Sequence, residues 1–225
     1  MLYLVGPLVC VCISIIYVSS LYVWNTGTLY RDHPKVIIRR SISVFISSAV
    51  AIVVTWAFTG DVQISLRMSP LTIFQTLVLM LGPIYDQLSW SDSIVSLLPP
   101  FSLVSFRNIF VAPICEEIVF RECFFRILKF SGYSNMGTAI LAPCLFALAH
   151  AHHYKDITVF QLMGQIAHTC VFGWLAFYFL IRGSVLDCII SHSLCNAIGL
   201  PKESKSKKRS VIPYLVGLSV FIYST

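Results

Sequence analysis

The chain has 225 residues, 57% of them hydrophobic and only 12% charged, against roughly 25% charged in an ordinary soluble domain. That balance excludes a soluble enzyme and defines a polytopic membrane protein. The formal charge of +6 does not make it a nucleic-acid binder, because the basic residues sit in short connections between apolar runs, where membrane topology accounts for them.

Residues 1–24 carry no charge and are long enough to cross a bilayer, which takes about 20 apolar residues. A signal peptide would show a basic start and a shorter apolar core, so the expectation is a retained first span. Apolar runs predict about eight spans in all: 1–24, 42–59, 71–84, 106–128, 136–150, 158–181, 184–200 and 211–224. Several are short for a full crossing, which is tolerated where helices pack on each other and line a cavity. The expected fold is therefore an all-α polytopic membrane protein, a bundle of about eight transmembrane helices with an intramembrane active-site cavity. With no internal repeat and no long linker, residues 1–225 read as a single domain.

Orientation follows from the Lys and Arg residues in the connections. If the 25–41 loop is cytosolic, alternation puts 85–105, 151–157 and 201–210 on the same side. That side then holds ten basic residues, including Arg31, Lys35, Arg39, Arg40 and the run "PKESKSKKRS", against Arg67, Lys129 and Arg182 on the other. The bias places the N-terminus outside the cytosol and makes 201–210 a solvated cytosolic loop, with a lipid-binding basic patch as the alternative. The eight cysteines all fall in apolar segments, with no CxxC pair and no metal-ligand spacing, and read as small hydrophobic residues.

The chemistry concentrates in "ICEEIVFREC", residues 114–123. Each ionised group near a bilayer centre costs roughly 2.5 to 3.5 kcal/mol on insertion scales, so such groups need partners or a function. Helical spacing pairs Glu117 with Arg121 and Glu122 with Arg126. The second pair lies near a helix end and reads as self-neutralising. Glu116 has no partner on its own helix and must protonate or find one elsewhere. Two later spans offer candidates: "FALAH" sets Phe146 and His150 four apart, and "HSLCN" does the same with His192 and Asn196. A carboxylate beside an imidazole can take a proton from water and direct the hydroxide at a carbonyl. A second histidine and an asparagine amide can donate to the developing oxyanion, one such donor being worth about 3 to 4 kcal/mol in hydrolases. The set suits peptide hydrolysis.

"EEIVFR", "FALAH" and "HSLCN" together resemble the E-E-x-x-x-R, F-x-x-x-H and H-x-x-x-N/D signature of the CAAX proteases and bacteriocin-processing enzymes. "APICEEIVFRECFFRIL", "LAHAHHY", "FQLMGQIAHTCVFGWLAFYFLIRGSV" and "SHSLCNAIGLP" are similar, in order, to the eukaryotic type II CaaX prenyl endopeptidases over roughly residues 105 to 201. The resemblance implies a glutamate-dependent intramembrane endopeptidase of the endoplasmic reticulum membrane, multi-pass, with its active site open to the cytosol and no cofactor. It implies removal of the last three residues from prenylated CaaX proteins, such as Ras-like and Rho-like small GTPases, with membrane lipid as the other partner. Glu116 then matches the residue that activates water and His150 the histidine that helps it. His192 and Asn196 match the oxyanion-stabilising pair. Glu117 and Arg121 are expected to orient Glu116, with Arg121 a contact for the substrate carboxylate, and Phe146 completes the second motif. Glu122 and Arg126 depart from the family pattern outside the signature positions.

Three other readings stand beside this one. A zinc protease would require H-E-x-x-H, which is absent, although "HAHH" at 150–153 could hold a metal. A cysteine protease would use Cys115, which points about 100° away from Glu116 on a helix. A non-catalytic scaffold or a transporter would use the carboxylates as an ion site, but the inverted repeats common in transporters are missing.

Overall fold

A computed structural model describes residues 2–62, 64–90, 99–155, 157–199 and 211–225. The regular elements among them are helices: α1 (Leu2–Ser20), α2 (Pro34–Thr59), α3 (Pro70–Leu79), α4 (Leu81–Trp90), α5 (residues 103–130), α6 (Asn135–Ala149), a 3-10 segment (His150–Lys155), α7 (Val159–Arg182), α8 (Val185–Ile198) and α9 (Val211–Ser224). α1, α2 and α7 are long and apolar enough to cross a membrane, and α3 with α4 forms a further span bent by 53°. The chain is an all-α polytopic membrane protein. The expected basic loop at 201–210 lies outside the described residues.

Two departures from the sequence expectation bear on the site. α2 begins at Pro34 rather than at residue 42: His33 accepts from the Lys35 N–H at 3.2 Å, and Pro34 takes the first-turn position that has no use for an N–H. Lys35, Arg39 and Arg40 are therefore helical. The Arg39 and Arg40 guanidiniums lie 5.8 and 5.6 Å from the rings of Trp24 and Tyr22. The third span breaks at Met80. Pro83 cannot donate to the Leu79 carbonyl, and its ring crowds that turn.

α5 is the central element and packs against α1, α2, α6, α7 and α8. Val111, Cys115, Val119, Phe120, Cys123, Phe124, Ile127 and Leu128 on α5 close on Cys10, Ile13 and Tyr17 of α1, Val44 and Ala51 of α2, and Ala142 and Phe146 of α6. Within α5 the residues Arg107–Val111 and Ile118–Cys123 are π-helical, and such insertions gather at functional sites. They flank the two glutamates. α6 and α7 approach closely at Gly173, where a Cβ would stand 2.7 Å from Pro143 Cβ. Small residues at membrane helix crossings allow this proximity.

Besides this apolar core, the interior holds polar groups while large apolar side chains lie on the surface. Leu4, Val53, Trp56, Trp174 and Ile222 are exposed, while Gln75, Asp86, Glu117, Arg121 and Asp187 are buried. Asp187 holds two helix starts together. It accepts from the Ser184 N–H at 2.9 Å, capping α8, and from the Ser69 N–H at 2.8 Å, at the head of α3.

Candidate active site

Two cavities meet inside the bundle. The larger, of about 950 Å³, is lined mainly by apolar residues of α3, α4, α7 and α9, such as Leu79, Phe172, Trp174 and Phe221, and by His192 and Asn196. The smaller, of about 300 Å³, is lined by Tyr17, Arg31, Arg40 and Arg107, among others. Asn108, Ala112, Glu116, Phe146 and His150 belong to both. The four residues expected to carry the chemistry are thus gathered at one junction, with Glu116 and His150 reaching both spaces and His192 and Asn196 the larger.

Glu116 is half-buried and has no ion-pair partner among the described residues. A carboxylate so placed can hold water. His150 caps α6, its Nδ1 donating to the Phe146 carbonyl at 3.0 Å. That hydrogen bond fixes the tautomer and places the basic lone pair on Nε2. The Phe146 ring, edge-on to His150 with centroids 4.9 Å apart, sets the orientation of the imidazole.

Glu117 points elsewhere. Its Oε2 lies 3.1 Å from Arg121 Nε, with both side chains fully buried, and its Oε1 accepts from His192 Nδ1 at 2.7 Å. The Arg121 guanidinium stacks 4.2 Å from the centroid of Phe146. Neighbouring helix residues diverge by about 100°, and Glu117 reaches α8, where it holds His192. With Nδ1 held by Glu117, Nε2 carries a hydrogen when the ring is an imidazolium, and Glu117 is its counter-ion. Arg121 lines neither cavity.

Asn196 donates from Nδ2 to the Asn108 carbonyl at 2.8 Å. The local sequence explains why that carbonyl is available. In the π-helical turn the Ala112 N–H goes to Arg107 O, and residue 113, next in that pattern to reach Asn108, is a proline with no N–H. The Asn196 amide has a second N–H for a ligand. Asn108 escaped the sequence reading; its signal was the Asn-x-x-x-x-Pro spacing at the start of α5. Tyr17, Arg31, Arg40 and Arg107 also line the smaller cavity and were not singled out, because they were read only as parts of apolar spans or as topogenic loop charges.

The departures from the family pattern pair as expected: Arg126 Nε lies 2.5 Å from Glu122 Oε1, and Arg126 Nη1 lies 3.0 Å from Asp61 Oδ2. In "HAHH", Nδ1 of His150 and of His152 donate to the carbonyls of Phe146 and Ala149, with the two rings 6.5 Å apart. Among the described residues no group of three or more His, Cys, Asp or Glu side chains is arranged to hold a metal. All eight cysteines are free, and Cys115 is buried.

Fold and site together define a helical membrane protein with a carboxylate–imidazole centre inside its bundle. The family model described as "Type II CAAX prenyl endopeptidase Rce1-like" matches residues 98–198, which hold Glu116, Glu117, Arg121, Phe146, His150, His192 and Asn196. The chain is 31% identical over 216 residues to a "Probable CAAX prenyl protease 2" of Schizosaccharomyces pombe, covering 83% of this chain and 78% of that protein. It is 29% identical to the "CAAX prenyl protease 2" of Homo sapiens over 95% of this chain and 78% of that protein. For the protein of the same name from Caenorhabditis elegans the identity is 29%, over 96% and 94%. No solved structure matches. The chain belongs to the type II CaaX prenyl endopeptidase family.

Proposed function

We propose that this family member hydrolyses the peptide bond after the prenylated cysteine of CaaX proteins and releases the C-terminal tripeptide, with the whole chain acting as one protease domain. The observation that carries this reading is the meeting of the two cavities at Glu116 and His150. Glu116, assisted by His150 Nε2, takes a proton from water, and the hydroxide forms a C–O bond to the cysteine carbonyl carbon. The oxyanion accepts from His192 Nε2–H and from the second N–H of Asn196. Collapse breaks the C–N bond, and the proton first taken from water passes to the leaving amine. The products are a prenylcysteine carboxylate and a free tripeptide.

The larger cavity suits the prenyl chain, since its walls are chiefly apolar and it holds the oxyanion donors beside the cysteine carbonyl. The smaller lies at the end of the bundle formed by the tail of α1, the head of α2 and the end of α6. That is the end the positive-inside bias assigns to the cytosol, where prenylated proteins such as Ras-like and Rho-like GTPases would arrive. An endoplasmic reticulum location with the site open to the cytosol fits the same picture. Incubating the purified protein with a farnesylated CaaX peptide and following the free tripeptide by mass tests the reading. Release is expected, and an intact peptide would return the scaffold or transporter reading.

A further inference from the structure

At one end of the larger cavity stands a buried polar cluster that the proposed chemistry does not use. Gln75 on α3 is 2% exposed. Its Nε2 lies 3.3 Å from the Tyr178 hydroxyl on α7, and 3.0 and 3.2 Å from the carbonyl and hydroxyl oxygens of Ser224 on α9. Arg182 Nη1 donates to the same Tyr178 hydroxyl at 3.0 Å, and its guanidinium lies 5.3 Å from the centroid of the Tyr178 ring. That ring meets Phe221 of α9 edge-on, with centroids 5.8 Å apart. Polar side chains inside a membrane bundle tie helices together, and these join three helices at one level. The cavity stops at that level. Its lining on α3 begins at Thr76, next to Gln75; on α7 it runs from His168 to Tyr178, and on α9 from Tyr214 to Phe221, a turn short of Ser224. Tyr178 and Phe221 are thus its floor, and Gln75 and Arg182 brace that floor from beneath.

We propose that this braced floor limits the length of the isoprenoid chain the cavity accepts, an inference that rests on the endopeptidase reading. Tyr178 is the residue that determines specificity, and Gln75 the residue that positions it. The cysteine carbonyl sits at His192 and Asn196, which fixes where the prenyl chain starts. From there the chain runs toward the floor, because Arg31 and Asn108 make the opposite end polar, while Phe172, Leu175 and Phe221 line the way to Tyr178. His192 packs on Phe172 with ring centroids 4.7 Å apart. Phe172 precedes Tyr178 by about 9 Å of helix, and the whole lining of α7 covers about 15 Å, at roughly 1.5 Å per residue. A cavity of fixed depth rewards each added isoprene unit with apolar burial until the tip reaches the floor. A further unit must then displace a tyrosine held by Gln75 and Arg182, or bend sideways past Trp174 and Leu218, which are half-exposed in the cavity wall. Either way the added unit gains little. A hydrophobic pocket distinguishes a single methylene by about 10- to 200-fold, so a whole isoprene unit is well within the reach of such a floor.

The test uses the purified protein and one CaaX peptide carrying a geranyl, a farnesyl or a geranylgeranyl chain, with tripeptide release as the readout. For the wild type, kcat/KM is expected to rise from geranyl to farnesyl and to gain nothing more with geranylgeranyl, the differences lying in KM. Tyr178→Ala is expected to raise the geranylgeranyl-to-farnesyl ratio about tenfold. Gln75→Leu, which keeps the ring but removes its brace, should raise it by less. Should Tyr178→Ala fail to fold, Phe221→Ala opens the same floor from α9 and carries the same expectation. Variants that slow all three peptides in equal proportion would make the cluster a brace alone and overturn the proposal. So would a wild type that gains as much from farnesyl to geranylgeranyl as from geranyl to farnesyl. A wild type that cleaves none of the three would overturn the endopeptidase reading, and the role of the floor with it.

Discussion

Along α5 the chain writes the same i,i+4 Glu–Arg pattern twice, and the two copies end in opposite surroundings. Glu117 and Arg121 are fully buried, and Glu117 takes a second partner, His192, on α8. Glu122 and Arg126 lie near the helix end, where 22% of the Arg126 side chain stays exposed and Asp61 adds a second carboxylate. Spacing made both pairs, but only the first reaches a candidate site residue, His192 on α8. A buried ion pair rarely adds much net stability, whereas removing one partner is expensive. The inner pair therefore makes sense as a fixed electrostatic support for His192, and the outer one as local neutralisation.

The largest contrast should appear in activity. His150→Gln is expected to lower kcat by about 10² to 10⁴, the usual range for a general acid–base group, with an unchanged melting temperature. An enzyme slowed less than about tenfold would remove His150 from the proton transfer. Next comes the inner pair: Glu117→Gln leaves Arg121 as a buried, unpaired charge and should cost about 3 to 5 kcal/mol of stability, read as a lowered melting temperature in detergent. It should also slow turnover, because His192 loses its anchor. Arg121→Met probes the same network from the other side, and a variant with wild-type activity and stability would show that Glu117 needs only His192.

Asn196→Ala removes one oxyanion donor, and a loss of about 10² to 10³ in kcat with little change in KM is expected. A pure KM effect would instead make Asn196 a binding residue. The outer pair should hardly respond. Arg126→Ala is expected to alter stability by about 1 kcal/mol or less, as partly exposed ion pairs do, and to leave turnover as it was. Should it match Glu117→Gln in either readout, the distinction between the two pairs would collapse.

The sequence carried the helical organisation because long uncharged runs have few alternatives in a bilayer, and it singled out Glu116, His150, His192 and Asn196 as candidates because their spacings match one signature. Partnerships between helices were not legible. Period and spacing show which residues share a face of one helix, not which face meets another, so the contact of Glu117 with His192 was not visible. The start of α2 was misplaced for a related reason. Lys35, Arg39 and Arg40 read as loop charges, yet long basic side chains can extend to the interface from a helical turn. The basic residues lining the smaller cavity were hidden by the same reading, since a residue counted for topology does not reveal that it also lines a cavity. Asn108 needed the π-helical turn, which a proline five residues later hints at but does not specify.

Water activation by Glu116 is the claim on which the rest depends. The direct measurement is release of the tripeptide from a farnesylated CaaX peptide by purified wild type and by Glu116→Ala, both in the presence of chelator. Cleavage by the wild type and none by a folded Glu116→Ala variant is the predicted result. Wild-type activity that disappears with chelator and returns with zinc, or equal release by both proteins, would contradict the glutamate mechanism.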